Sequence, residues 1–273
     1  QMRAGDARGI SESSSLVTEA DGTVFVRGHQ IKLFSSNTLN SMGNDTFSSF
    51  KSEQKISTKP IENEYVQCIA DALIPHIPTG TFDGEWEVVV FDDEQINAFA
   101  LPGGKIGVYT GILKVAQTPD QLASVLGHEI GHVIAEHGNE RMSIATLSNL
   151  GLQITNVGLK SAGVTNKNQA LMMAGAGLLA QYGVNLPFSR AHESESDLIG
   201  LQLMAKAGFD PHAAPKLWEN MAAAANGKVP PEWQSTHPTH DTRIAALNAA
   251  IPTVIEDYRT APKQPNCSHQ LTD

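Results

Sequence analysis

Cysteine, basic charge and long apolar runs are all scarce in this 273-residue chain, and each scarcity closes off a class of protein. Two cysteines, Cys68 and Cys267, are too few for a disulfide scaffold and share no metal-site spacing. Sequence separation does not fix whether their Cα atoms come within the roughly 4.4–6.8 Å that a bridge requires, so both bridged and free thiols stay open. Lys and Arg number 19 against 29 Asp and Glu, a net charge of −10. No broad basic face is available for phosphates or anionic lipid, which excludes nucleic acid as a partner. The longest nearly apolar stretch, Ala170 to Ala180, is about half the roughly 20 residues a spanning helix needs, so no transmembrane segment is expected. No basic start followed by an apolar run marks a leader at Gln1-Met2, and a removed leader and none at all fit equally.

What is present suits a globular chain, with 41% hydrophobic and 18% charged residues. Residues 1–23, rich in Ser, Gly and acidic groups, read as a loose N-terminal arm, and residues 24–273 as a single domain. Apolar spacing predicts helices over about Asn37 to Lys55 and from Pro60 through Leu73. Short β-prone runs at 86–91, 96–100 and 106–110, separated by Asp92-Asp93 and Pro102-Gly103-Gly104, predict a small antiparallel sheet. Thr118-Pro119-Asp120-Gln121 is a strong helix start, and the apolar stripe beyond it predicts one helix to about His137. Residues 143–187 specify neither close helix packing nor a mobile flap. Further helices are expected from Ser189 to Gly208 and from Asp210-Pro211 through Met221, with an irregular tail from about Pro252. The fold class is α+β, mainly helical.

The chemistry concentrates in His128-Glu129-Ile130-Gly131-His132, inside the best-defined helix. Four residues advance a helix by about 400°, so both imidazoles leave one face and can bind one ion while Glu129 points to a neighbouring position. A catalytic zinc takes a third protein ligand. The metzincin offsets hold Ala135 and Gly138, which excludes that class. His137 lies about 500° around a continuous helix from His132, which fits a hydrogen-bonded or packing role better than ligation. The better candidate is Glu193, in the acidic helix start His192-Glu193-Ser194-Glu195-Ser196-Asp197, with Asp197 one turn on to orient a ligand histidine. An acidic first turn is also favoured by the helix dipole alone. Glu195 is expected to be solvated.

These segments resemble the gluzincin metallopeptidases of the CAAX-prenyl-protease type, whose pattern is H-E-x-x-H on one helix and E-x-x-x-D on another. The resemblance runs from about Leu39 to Ile251. It rests on Asn97 to Gly104, His128 to His137, Ser189-Arg190 with Glu193 to Asp197, and Trp233 to Pro238 followed by Arg243. The chain looks most similar to the soluble envelope branch, BepA-like and LoiP-like, and to the catalytic part of the mitochondrial Oma-type protease.

The resemblance implies one zinc per chain on His128, His132 and Glu193, with Glu129 as general base and Asp197 behind a ligand. It brings His237 and Arg243 to the cleft as oxyanion donors, or alternatively makes His237 a plug on the metal. It places Asn97, Ala98, Phe99 and Ala100 on a strand edge beside the metal that would hold an extended peptide. His240 is expected to face solvent. The implied activity is cleavage of unfolded or misfolded proteins in envelope quality control. The implied place is the bacterial periplasm or outer membrane, or alternatively the mitochondrial intermembrane side, with any membrane association through a lipid anchor. The alternative function is a chaperone or assembly factor with a latent site.

Overall fold

The computed structural model describes residues 11–18, 24–156, 188–225, 231–237, 241–262 and 265–267. Two strands, β1 (Ser11–Thr18) and β2 (Val24–Lys32), pair antiparallel. Part of the expected loose arm is therefore a strand. Its Ser-rich sequence has little β propensity of its own, and pairing with Val24-Phe25-Val26 supplies what propensity does not. Past β2, Leu33 N–H donates to Ser143 Oγ at 2.8 Å, and Asn139 Nδ2 donates to Phe34 O at 2.9 Å.

Helix α1 (Ser36–Glu53) starts at Ser35, whose side chain accepts from Thr38 N–H, and buries Leu39, Met42 and Phe47. Helix α2 (Pro60–Leu73) opens on proline and buries Tyr65, Val66, Ile69, Ala70 and Leu73. Strands β3 (Glu87–Phe91), β4 (Ala98–Leu101) and β5 (Lys105–Tyr109) lie in the order β3-β5-β4. The sheet is mixed, not antiparallel: β4 and β5 form a hairpin, while β3 runs parallel to β5. The hairpin turns on Gly103 and Gly104, at φ 84° and 66°, a region that L side chains rarely adopt. That turn makes β5 the neighbour of β4, and β5 then inserts between β3 and β4.

Helix α3 (Pro119–Ile134) is capped by Thr118, and its middle turns, Leu122 to His132, are largely buried. It ends short of the expected His137. Glu136 adopts φ 52°, the one positive φ outside glycine among the described residues, and α4 (His137–Asn156) begins immediately after it. Helix α5 (Arg190–Lys206) is capped by Ser189, and α6 (Ala213–Ala225) and the short α7 (Glu232–Thr236) follow. Helix α8 (Asp241–Thr260) passes through Pro252. The tail is therefore helical to Thr260, because burial of Leu247, Ala250, Ile251 and Val254 outweighs the hydrogen bond that proline removes.

Helices α3 and α5 touch backbone to backbone. A Cβ at Gly127 would meet Gly200 O at 2.9 Å, and one at Gly131 would meet Ser196 Oγ at 2.8 Å. Any side chain there would push α5, and the carboxylates it bears, away from His128 and His132. Cys68 of α2 and Cys267 form a disulfide with Cα atoms 5.8 Å apart. No described helix is long and apolar enough to cross a membrane.

Candidate active site

His128 and His132 project from one face of α3, as the four-residue spacing requires, with their Nε2 atoms 3.0 Å apart. Glu193, in the first turn of α5, faces them: Oε2 lies 3.5 Å from His128 Nε2 and Oε1 3.5 Å from His132 Nε2. His237, at the end of α7, closes the group. One ligating atom from each of His128, His132, Glu193 and His237 lies within 4.8 Å of all the others, and all four residues are buried.

The hydrogen bonds behind these side chains dictate where the ring protons sit. His128 Nδ1 faces Asp197 Oδ1 at 2.9 Å, and a carboxylate accepts, so Nδ1 donates and Nε2 is the atom that a cation would take in place of a proton. His237 Nδ1 lies 3.0 Å from Trp233 O, a carbonyl that can only accept, and 2.9 Å from Thr236 Oγ1, whose own proton goes to Trp233 O at 3.1 Å. Nδ1 therefore donates, and burial pushes this imidazole down to about 3, so it is neutral with a bare Nε2. Glu193 Oε1 and His237 Nε2 are buried with no hydrogen-bond partner among the described residues. Lone pairs aimed at one point without donors are costly unless a cation takes them. Burial works against a charge on His128, yet Glu193 and Asp197 raise it to about 9. The attraction those carboxylates exert on a proton is the attraction a divalent cation would feel. The donor set, imidazole nitrogen with one carboxylate, suits zinc.

Glu129 lies beside this point and is not one of the four converging residues. Its Oε1 accepts from Trp233 Nε1–H and lies 3.5 Å from His237 Nε2, and burial pushes its carboxyl up to about 7. Trp233 stacks on Trp218 with centroids 4.9 Å apart. Phe188 stacks on the His132 ring at 3.9 Å, beneath Arg141, whose guanidinium lies 4.0 Å from its centroid.

Several sequence expectations change. Arg243 is not free beside the cleft. Its NH1 reaches Glu193 Oε2 at 2.7 Å, its Nε and NH2 hold Asp197, and its guanidinium lies over Trp218. It braces the carboxylates instead of offering an open donor. Glu195 is buried, not solvated, with Oε2 2.9 Å from His137 Nε2. His137 in turn reaches His132, Nδ1 to Nδ1 at 2.8 Å. On a continuous helix His137 would sit about 140° away from His132, and the break at Glu136 brings it back. His240 lies outside the described residues. Sequence reasoning gives no role to Trp233 or Phe188: Trp233 lies within the segment Trp233 to Pro238 without a mark of its own, and nothing in the spacing marks Phe188.

Strand β4 pairs with β5 alone, so it is an edge among the described residues. Asn97, Ala98 and Phe99 are buried, which leaves main chain, not these side chains, to meet a peptide. Ala100, Leu101, His132 and Phe188 line a cavity of about 350 Å³ beside it.

A family model for peptidase family M48 matches residues 60–251, spanning this whole constellation. The chain belongs to peptidase family M48. Its relatives include the mitochondrial metalloendopeptidase OMA1 of Schizosaccharomyces pombe, 38% identical over 176 residues, 64% of this chain and 49% of that protein. The OMA1 metalloendopeptidase of Bos taurus is 34% identical over 77% of this chain and 40% of its own length. The beta-barrel assembly-enhancing protease of Yersinia pestis is 30% identical over 68% of this chain and 38% of its own length. The chain thus spans from about two-fifths to one-half of the length of these M48 relatives. The matches do not support the prenyl-protease label drawn from the motifs, which names another branch of M48.

Proposed function

We propose that this M48 chain is a zinc-dependent endopeptidase unit that cleaves unfolded or misfolded proteins in an oxidising compartment, the bacterial envelope in the first instance. The observation that supports it best is the convergence of His128 Nε2, the Glu193 carboxylate and His132 at one buried point, with Glu129 beside it but not in it. Zinc, when bound there, acts as a Lewis acid and lowers the pKa of water from 15.7 to about 7. The chain supplies the rest. Asp197 and Arg243 hold His128 and Glu193 in place. Glu129, held by Trp233, takes a proton from the attacking water and returns it to the leaving amine. The free edge of β4 aligns an extended segment by main-chain hydrogen bonds, which favours unfolded substrates over folded loops.

The Cys68–Cys267 bridge supports an envelope location, because reducing cytosol keeps such thiols apart. A mitochondrial intermembrane location fits the same chemistry. His237 serves in this reading as a fourth ligand that closes the site at rest. Its Nδ1 proton is held between Trp233 O and Thr236 Oγ1, so the atom aimed inward accepts and cannot donate to an oxyanion. Four donors are also what a structural zinc site uses, and Glu129 is what distinguishes the two. The test is zinc content together with cleavage of unfolded casein, with and without a chelator. One zinc per chain and chelator-sensitive cleavage are expected. Zinc without any cleavage, even after removal of the His237 imidazole, would leave a structural site.

A further inference from the structure

His128 and His132 occupy similar positions on α3, but their outer nitrogens meet different partners. His128 Nδ1 faces the carboxylate of Asp197 directly, at 2.9 Å. His132 Nδ1 faces another imidazole, His137, at 2.8 Å, and His137 Nε2 faces Glu195 Oε2 at 2.9 Å. His132, His137 and Glu195 are all buried, His137 completely.

We infer that Glu195 and His137 form a two-residue relay that fixes the tautomer and orientation of His132 for metal binding. A carboxylate accepts, so His137 Nε2 carries the proton of a neutral ring. Its Nδ1 is then a lone pair and must receive a hydrogen bond. His132 Nδ1, 2.8 Å away, is placed to give it, and in doing so bears its own proton and leaves Nε2 bare toward Glu193 and His128. The reverse arrangement would put a proton on His132 Nε2, between the ligands, where it blocks a cation. Phe188, stacked on the His132 ring at 3.9 Å, leaves that ring little freedom to rotate out of the arrangement. The chain goes to some length to build this relay. Glu136 takes a left-handed backbone conformation costing roughly 1–2 kcal/mol, and only that break returns His137 to His132. Lys32 of β2 pairs with Glu136, and Gln30 donates to Ala135 O at 3.1 Å, so the N-terminal strand pair braces the same elbow.

His137 and Glu195 are positioning residues: neither is one of the four whose ligating atoms converge, and both act through His132. The inference rests on the metallopeptidase reading, and the test separates the two. Zinc affinity is measured by competition with a chromophoric chelator for the unaltered chain, His137→Leu, His137→Gln and Glu195→Leu, with unfolding of each metal-free protein as a check on the fold. Glutamine offers an acceptor and a donor in one planar group, as imidazole does. His137→Leu and Glu195→Leu should weaken zinc binding by about 10–100-fold, and His137→Gln should recover most of it. In the zinc-loaded unaltered chain, imidazole ¹⁵N shifts should show His132 protonated at Nδ1. An unaltered chain that binds no zinc would sink the metallopeptidase reading itself. If it binds zinc and folded His137→Leu binds equally tightly, or His137→Gln is no better than His137→Leu, the relay is wrong.

Discussion

The touching backbones of α3 and α5 make Gly200→Ala the sharpest probe of how this fold builds its site. A Cβ at Gly200 would lie 2.7 Å from both Gly127 C and His128 N, whereas ordinary contact begins at 3.4 Å. The helices must therefore part by about 0.7 Å (3.4 less 2.7), since backbone atoms cannot rotate aside. Overpacking of this kind costs roughly 1–3 kcal/mol, offset by about 1 kcal/mol from replacing a mid-helix glycine. Global stability should fall only modestly. Metal affinity has no such compensation. Ligand distances tolerate only about ±0.2 Å, and α5 carries Glu193 and Asp197 while α3 carries both histidines. Zinc binding by competition titration should weaken by at least about tenfold, the lower end of what loss of a supporting partner costs. Gly138→Ala is the control, because its Cβ would meet nothing within 4 Å. A folded Gly200→Ala protein that binds zinc as tightly as Gly138→Ala would refute the claim that the crossing sets the ligand geometry.

The remaining expectations follow from individual contacts. His237→Ala should raise kcat on a small unfolded substrate at full zinc occupancy, and a rate no higher than the parent's would exclude the closed-site role. Trp233→Phe keeps the stack on Trp218 but removes the donor to Glu129. It should lower kcat by roughly tenfold or more with zinc content unchanged, since a hydrogen bond to a charged group contributes about 1.5–3 kcal/mol. Cys68→Ser opens a loop with sequence separation 199, for which the chain-entropy account gives a loss of about 5 kcal/mol at most. Its thermal unfolding should come well below that of the oxidised chain and match that of the reduced one.

The local signals of this sequence survived folding, and the failures came where distant residues decide. The cap at Thr118, the cap at Ser189 and the proline start at Pro60 each open the helix they announce. The i, i+4 histidines fall on one face because a helix allows nothing else, and Glu193 meets them. The parallel pairing of β3 with β5 was hidden, because three short strands of similar composition do not encode their spatial order. Pro252 was read as a stop, although the buried face of α8 overrides it. His137 keeps the hydrogen-bonding role expected of it, but its partner was hidden, because α3 was continued through Glu136, where a single left-handed residue breaks the helix and turns His137 back to His132. Glu195 looked solvated because its partner was that misplaced histidine. The disulfide depends on a Cα separation that only tertiary structure supplies.

The central claim is that three residues hold a zinc ion while Glu129, beside them, moves the proton. Zinc content and casein hydrolysis measured together on Glu129→Gln test it most directly. Glu129→Gln should hold about one zinc per chain with hydrolysis abolished, whereas His132→Ala should lose both. A Glu129→Gln protein that lacks zinc, or one that still cleaves at the parent's rate, would contradict it.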